Sequence, residues 1–92
     1  MMVSSLPRPG PGVIFKRVQD GAILLDTRSE VYFGLNLVGS RIWEMLPGCV
    51  TLEALCVALG QEYPEVDEGM LRLDIVELLE ELAGYGLVHA GE

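Results

Sequence analysis

The sequence has few of the side chains from which metal and nucleophilic sites are built. Its 92 residues include one histidine, His89, and two cysteines, Cys49 and Cys56. Zinc sites need cysteines and histidines at closer, repeated spacings, and neither cysteine has a histidine near it. No carboxylate or cysteine lies at a recognisable catalytic spacing from His89, and no glycine-rich phosphate loop is present. We therefore predict no metal, no cofactor and no catalytic residue.

Long apolar segments are also missing. No run approaches the ~20 residues that a membrane span requires, and the first residues lack the charged and apolar regions of a secretory signal. Half of the residues are nevertheless hydrophobic, which is enough for one modest core in a chain of 92 residues. We expect a single cytoplasmic domain with no membrane partner, in which the cysteines form no disulfide.

Positive charge is nearly absent from the second half of the chain. Residues 1–43 carry five basic and three acidic side chains, whereas residues 44–92 carry one basic side chain, Arg72, and eleven acidic ones. The two halves have net charges of +2 and −10, which together give the −8 of the whole chain. Such an acidic surface repels phosphate backbones and anionic lipids, so we expect a basic or apolar partner and no nucleic acid.

The first third of the chain has the pattern of an antiparallel meander. Prolines and glycines crowd the start, and residues 1–12 are predicted to be a flexible, unpaired lead-in to a domain over residues 13–92. Asp20-Gly21 is typical of a hairpin turn. β-branched and aromatic residues predict three strands. These strands are expected at residues 13–18, 22–26 and 31–35.

The apolar period then changes from two to 3.6, which predicts three helices. Their expected N-caps are Asn36, Thr51 and Asp67. The third helix is the longest, and its apolar residues form one stripe. That stripe contains Leu71, Ile75, Leu78, Leu79 and Leu82. Three N-terminal antiparallel strands followed by three helices predict an α+β fold, which resembles a winged helix-turn-helix.

Three segments together resemble the PqqD-like family, the precursor-peptide recognition elements of ribosomal natural-product pathways. They read GAILLD at 21–26, VYFGLN at 31–36 and GSRIWEML at 39–46. The helix sequence DIVELLEEL at 74–82 agrees with the family, and the resemblance covers residues 13–88. It implies a winged helix-turn-helix domain that binds no DNA and occurs either free-standing or fused to an enzyme. We expect this chain to be free-standing, because it has its own start and carries no fused enzyme.

The resemblance also implies partners. In this family the leader segment of a precursor peptide adds a strand to the third strand, in a groove whose other wall is the third helix. A separate modifying enzyme then receives the precursor. We favour the leader peptidase and cyclase of lasso-peptide biosynthesis, because short free-standing chains are common there; the alternative is a radical-SAM pathway such as PQQ biosynthesis. The expected peptide-binding residues are Glu30, Val31, Tyr32, Phe33, Gly34, Leu35, Leu71, Arg72, Asp74, Ile75 and Leu78.

The residues of the third strand support strand addition on physical grounds. Val31 to Leu35 contains no charge and no proline, the usual defences of a sheet edge, and only Glu30 guards one end. Gly34 lets a ligand backbone approach closely. The alternative is a strand that is merely short and covered by the third helix, whose apolar stripe equally suits core packing. Arg72 is expected to pair with Glu68, Glu80 or a leader carboxylate.

Three other classes of function remain as alternatives. A DNA-binding winged helix would use residues 67–85 as its recognition helix. This segment contains six acidic side chains and one arginine, and its net negative charge opposes entry into a groove of DNA. An enzyme would need the catalytic groups that are missing here. A structural subunit would bind the modifying enzyme without binding the leader, and titration with a labelled leader would distinguish it.

Overall fold

The structure is a computed structural model that describes residues 6–89. A three-stranded antiparallel sheet is followed by three helices, which confirms the predicted α+β fold. The strands are β1 (Arg8–Pro9), β2 (Val13–Val18), β3 (Gly21–Asp26), β4 (Val31–Leu35) and β5 (Val88–His89). The helices are α1 (Leu37–Met45), α2 (Leu52–Glu62) and α3 (Glu68–Gly84), with a 3₁₀ turn at Leu46–Gly48 between α1 and α2.

The main sheet has the order β2-β3-β4, with both pairs of neighbours antiparallel. The first hairpin closes at the pair Val18 and Gly21, and the second brings Asp26 opposite Val31. In the second turn, the Asp26 carboxylate accepts a hydrogen bond of 3.0 Å from the Arg28 amide. Within residues 6–89, β4 pairs with β3 alone and forms an edge of the sheet.

The three predicted helix caps are confirmed. In each helix the cap side chain accepts a hydrogen bond from the amide three residues later, at 2.7 Å for Asn36, 3.1 Å for Thr51 and 3.2 Å for Asp67. These bonds satisfy amides that have no partner within the helix. Over residues 6–89, no helix is long and apolar enough to cross a membrane.

One core lies between the inner face of the sheet and the helices. Alternate residues of β3, Ala22 and Leu24, point into it, while Trp43 and Cys56 reach it from α1 and α2. The segment after α3 closes the core, because Leu87 and Val88 are buried. Its most deeply buried apolar side chains are Leu24, Ile42, Leu46, Leu55, Leu59, Ile75, Leu82 and Leu87.

The lead-in is not unpaired, which corrects the sequence-based expectation. Arg8 and Pro9 pair antiparallel with β5. Leu6 is 5% exposed, and its amide donates to the Val50 carbonyl at 2.8 Å. The prediction is wrong for this segment because the apolar side chain of Leu6 reaches the core and β5 offers backbone partners. Residues 1–5 of the predicted lead-in lie outside the described residues.

Candidate functional site

A groove of about 360 Å³ separates β4 from α3. Its first wall is the second half of β4, its floor is the first half of α1, and its second wall is α3. These elements meet here because α1 begins directly after β4 and packs against α3. The lining residues are Phe33, Gly34, Leu35, Asn36, Val38, Gly39, Ile42, Asp74, Glu77, Leu78 and Glu81.

The strand edge beside this groove is open. Among the described strands, β4 pairs only with β3, so alternate amides and carbonyls along its outer side have no strand partner. The opposite edge of the sheet, β2, carries Lys16 and Arg17, and charge on an edge discourages strand addition. β4 carries no charge and no proline. Of the two edges, β4 is therefore the one suited to accept another strand.

The two faces of β4 differ in what they meet. Phe33 is half-buried and lines the groove, whereas Tyr32 is 70% exposed on the opposite face of the sheet. The ring of Phe33 also packs against Tyr85, with 5.5 Å between ring centroids and a tilt of 57°. Tyr85 follows the last turn of α3, so this aromatic pair joins β4 to α3 at one end of the groove.

The α3 wall of the groove is acidic at its rim and apolar within. Asp74, Glu77 and Glu81 are exposed and lie on one face of the helix, because their spacings of three and four residues bring them together. None of the three forms an ion pair within residues 6–89. Leu78, half-buried beside them, supplies the apolar surface. The groove therefore suits a ligand with apolar side chains and positive charge.

Comparison with known proteins agrees with this geometry. Residues 21–88 match the family described as coenzyme PQQ synthesis protein D (PqqD). The chain belongs to the PqqD family. A search of curated proteins returned no match.

Two solved structures resemble this PqqD family member over nearly its whole length. The first is TbiB1 in complex with the TbiA(beta) leader peptide, which is 30% identical, with a TM-score of 0.79, over 92% of this chain and 98% of that chain. The second is a lasso peptide synthetase B1 complexed with the leader peptide, which is 29% identical, with a TM-score of 0.74, over 89% of this chain and 95% of that chain.

Only some of the predicted site residues of this PqqD protein line the groove. Phe33, Gly34, Leu35, Asp74 and Leu78 do so. Three others lie on β4 or in the turn before it, outside the groove itself. They are Glu30, Val31 and Tyr32.

The remaining three predicted residues face away from the groove. Leu71 and Ile75 are 3% and 0% exposed, so both belong to the core. Arg72 forms an ion pair with Glu53 of α2, and this carboxylate raises the pKa of the arginine. The expected pairing of Arg72 with a residue of its own helix is wrong, because this position of α3 faces α2.

Other groove residues were missing from the sequence-based prediction. Asn36, Val38, Gly39 and Ile42 come from α1 or its cap. Asn36 was predicted only as a helix cap, and nothing in the apolar period of the first helix revealed that it forms the floor of the groove. Glu81 was recognisable only as part of an acidic helix, and its place on the groove rim follows from how α3 packs.

Proposed function

We propose that this PqqD family member binds the leader segment of a ribosomally made precursor peptide and delivers the precursor to a separate modifying enzyme. The observation that carries the proposal is the unpaired edge of β4, which borders a groove with α3 as its opposite wall. The two solved relatives, both bound to leader peptides, support the same ligand for this chain.

The leader binds as an additional strand along β4. Backbone hydrogen bonds to β4 supply affinity with little demand on sequence, and alternate side chains supply selectivity. Leader side chains on the groove side contact Phe33 and Leu78 and approach the acidic rim at Asp74 and Glu77. A leader segment with an apolar anchor and nearby basic residues is therefore the preferred ligand.

We assign the protein to lasso-peptide biosynthesis, where the receiving enzyme is a leader peptidase or cyclase. Both solved relatives support this choice, since one is a lasso peptide synthetase B1 and the other carries a comparable leader complex. The family description, coenzyme PQQ synthesis protein D, favours the alternative of a radical-SAM pathway. Reconstitution with each class of enzyme distinguishes the two pathways. Addition of this protein should speed processing of the precursor only by the enzyme that is its true partner.

The proposal makes the protein a binding module of the cytoplasm and assigns no catalytic step to it. We propose residues 13–92 as the leader-binding domain, against which Leu6 and β1 pack, and winged helix-turn-helix as the description of its fold. DNA binding is disfavoured because α3, the helix that would enter a groove of DNA, presents carboxylates on its exposed faces.

Binding to the leader is the direct test. A fluorescently labelled precursor should bind with a Kd near micromolar or tighter, which corresponds to ~8 kcal/mol or more. A precursor from which the leader has been deleted should not bind. Equal affinity for the full and the leader-deleted precursor would contradict the proposal, and so would binding of the modifying enzyme with no binding of the leader.

Hydrogen exchange locates the bound strand. The amides among Val31–Leu35 that point to the open side of β4 should exchange more slowly when the leader is added, because the new strand gives them partners. β2 (Val13–Val18) is the internal control, since it is the other edge of the same sheet and should be unaffected. Protection confined to β2, or no change in β4 while binding persists, would place the leader elsewhere.

A further inference from the structure

The outer face of the main sheet is apolar and uncovered by any element within residues 6–89. Tyr32, Ile14 and Ile23 are 70%, 51% and 37% exposed there. Among the residues of β2, β3 and β4 that point to this face, Lys16 is the only one with a charged side chain. Strand register arranges the face in two rows, Ile14–Leu25–Tyr32 and Lys16–Ile23–Gly34. Both rows end at the open edge of β4.

The second row ends on a glycine, which leaves a gap at this edge. A Cβ atom built at Gly34 would have no atom within 4 Å. Ile23, its partner on β3, is therefore uncovered on the side that faces the edge. Tyr32, two residues before Gly34 on the same face, stands beside the gap.

An added strand would project side chains to both faces of the sheet. Residues opposite Phe33 and Leu35 point into the groove, and the residue opposite Gly34 points to the outer face, because strand side chains alternate. Cross-strand neighbours on one face lie close enough to pack together, and diagonal neighbours remain within reach of aromatic rings. The outer face is thus continuous with the edge that receives the leader.

We propose that Ile23, Tyr32 and Gly34 form a second leader subsite, the outer-face subsite, which takes one aromatic side chain of the bound leader. This inference rests on the proposed function. An aromatic ring opposite an edge glycine lies flat across the exposed backbone, a pairing that stabilises glycine-containing edges. From there the ring reaches Ile23 and packs beside Tyr32. Both faces of the sheet then contribute to leader selectivity, because successive leader side chains alternate between the groove and the outer face.

The test uses a randomised peptide library and two matched variants. Peptides of about 12 residues, longer than a usual strand, are selected for binding to the wild-type protein. The Ile23→Thr variant changes the proposed subsite. The Ile14→Thr variant makes the same change on the same face, but at the far strand β2. Both keep a β-branched residue, so both should fold.

Selected peptides should carry an aromatic residue at one outward position. For such a peptide, Ile23→Thr should weaken binding about three- to fivefold, the range expected for one cross-strand aromatic pair. The Ile14→Thr variant should bind like wild type. The effect of Ile23→Thr should vanish when the aromatic residue of the peptide is replaced by alanine, which shows that the two side chains are coupled.

The outcomes separate this inference from the function on which it rests. If no peptide binds at β4, the proposed function fails. If peptides bind there without an aromatic preference, or if Ile23→Thr weakens the aromatic peptide and its alanine version equally, only the outer-face subsite is overturned.

Discussion

Two glycines of the main sheet, Gly21 in β3 and Gly34 in β4, meet different constraints. Gly21 has φ of 154°, and a Cβ atom there would lie 1.9 Å from the carbonyl oxygen of Leu35. Only glycine fits this position, where the start of β3 passes the junction of β4 and α1. Gly34 has neither a left-handed φ nor a close neighbour. The fold therefore does not require glycine at this position.

The Gly21→Ala variant should be strongly destabilised. We expect a loss of roughly 2–3 kcal/mol in the free energy of unfolding, because the methyl group collides with backbone that cannot move independently. Urea denaturation measures this loss. The Gly48→Ala variant is the control, since nothing lies within 4 Å of a Cβ atom there. Equal stability of the two variants would show that the Leu35 backbone moves aside freely.

The Gly34→Ala variant should separate stability from binding. Alanine lowers the conformational entropy of the unfolded chain and meets no clash, so the free protein should gain about 0.5–1 kcal/mol of stability. Leader affinity should fall, because the new methyl group occupies the gap at the edge of β4. Thermal unfolding and anisotropy titration of one preparation measure both effects. Unchanged affinity would mean that the leader does not pass over Gly34.

At the scale of the element, α3 serves two surfaces at once. One face, with Leu71, Ile75 and Leu82, packs into the core, and the adjacent face, with Leu78 and Glu77, lines the groove. Substituting the first face tests folding, whereas substituting the second tests binding. The core-facing and groove-facing residues are neighbours around the helix. The sequence therefore showed a single apolar stripe, which could not be divided into core residues and site residues.

Apolar contact should outweigh charge on the groove face of α3. The Leu78→Ala variant should lose about 1–2 kcal/mol of leader affinity, near tenfold, through lost apolar burial. The Glu77→Gln variant should lose only ~0.2–1 kcal/mol, because exposed charges are screened. This smaller loss should shrink further at high salt. Isothermal titration at two salt concentrations measures all of these values.

The Glu80→Gln variant is the control for charge, because Glu80 lies on the same helix, outside the groove. It should bind the leader as wild type does. If Glu77→Gln abolishes binding while a folded Leu78→Ala variant binds normally, the balance of forces is the reverse of the one proposed. If Glu80→Gln and Glu77→Gln have equal effects, only the net charge of the helix matters.

For the whole molecule, a chain of ion pairs joins the sheet to the helices. Arg17 of β2 pairs with Glu44 of α1, which also accepts a bond of 3.0 Å from Arg41. Arg41 in turn contacts Glu62 of α2 at 2.8 and 2.5 Å. The bond from Arg17, and then that from Arg41, lower the pKa of Glu44. Arg41 likewise lowers the pKa of Glu62.

These lowered pKa values predict a loss of stability in acid. A carboxyl group whose folded pKa lies below its unfolded value stabilises the fold above the unfolded value, here near 4.5, and this contribution disappears as pH falls through the folded pKa. The Tm of wild type should therefore fall more between about pH 6 and about pH 3 than the Tm of Glu44→Gln, which lacks the linked proton.

The Glu80→Gln variant is again the control. It has the same net charge as Glu44→Gln, but Glu80 forms no ion pair within residues 6–89. It should follow the wild-type pH profile of Tm. Parallel profiles for wild type and Glu44→Gln would mean that these exposed ion pairs contribute nothing measurable to stability.

Local sequence determined the elements of this protein, because the forces that form them act over a few residues. The three strands of the main sheet followed from β-branched and aromatic residues, and Asn36, Thr51 and Asp67 marked the helix starts through bonds that span three residues. The uncharged third strand also indicated where a ligand strand could add. The family resemblance was visible in the same segments, and the match over residues 21–88 confirms it.

Only the tertiary structure decided which faces of those elements meet. It turned Leu71 and Ile75 into the core, directed Arg72 to Glu53, and brought Val38 and Ile42 to the groove floor. It also paired the proline-rich start with β5. Each of these contacts joins residues distant in sequence, and those of the helices depend on how the helices pack around a shared core. Local periodicity specifies an apolar face, but the partner of that face is chosen by packing.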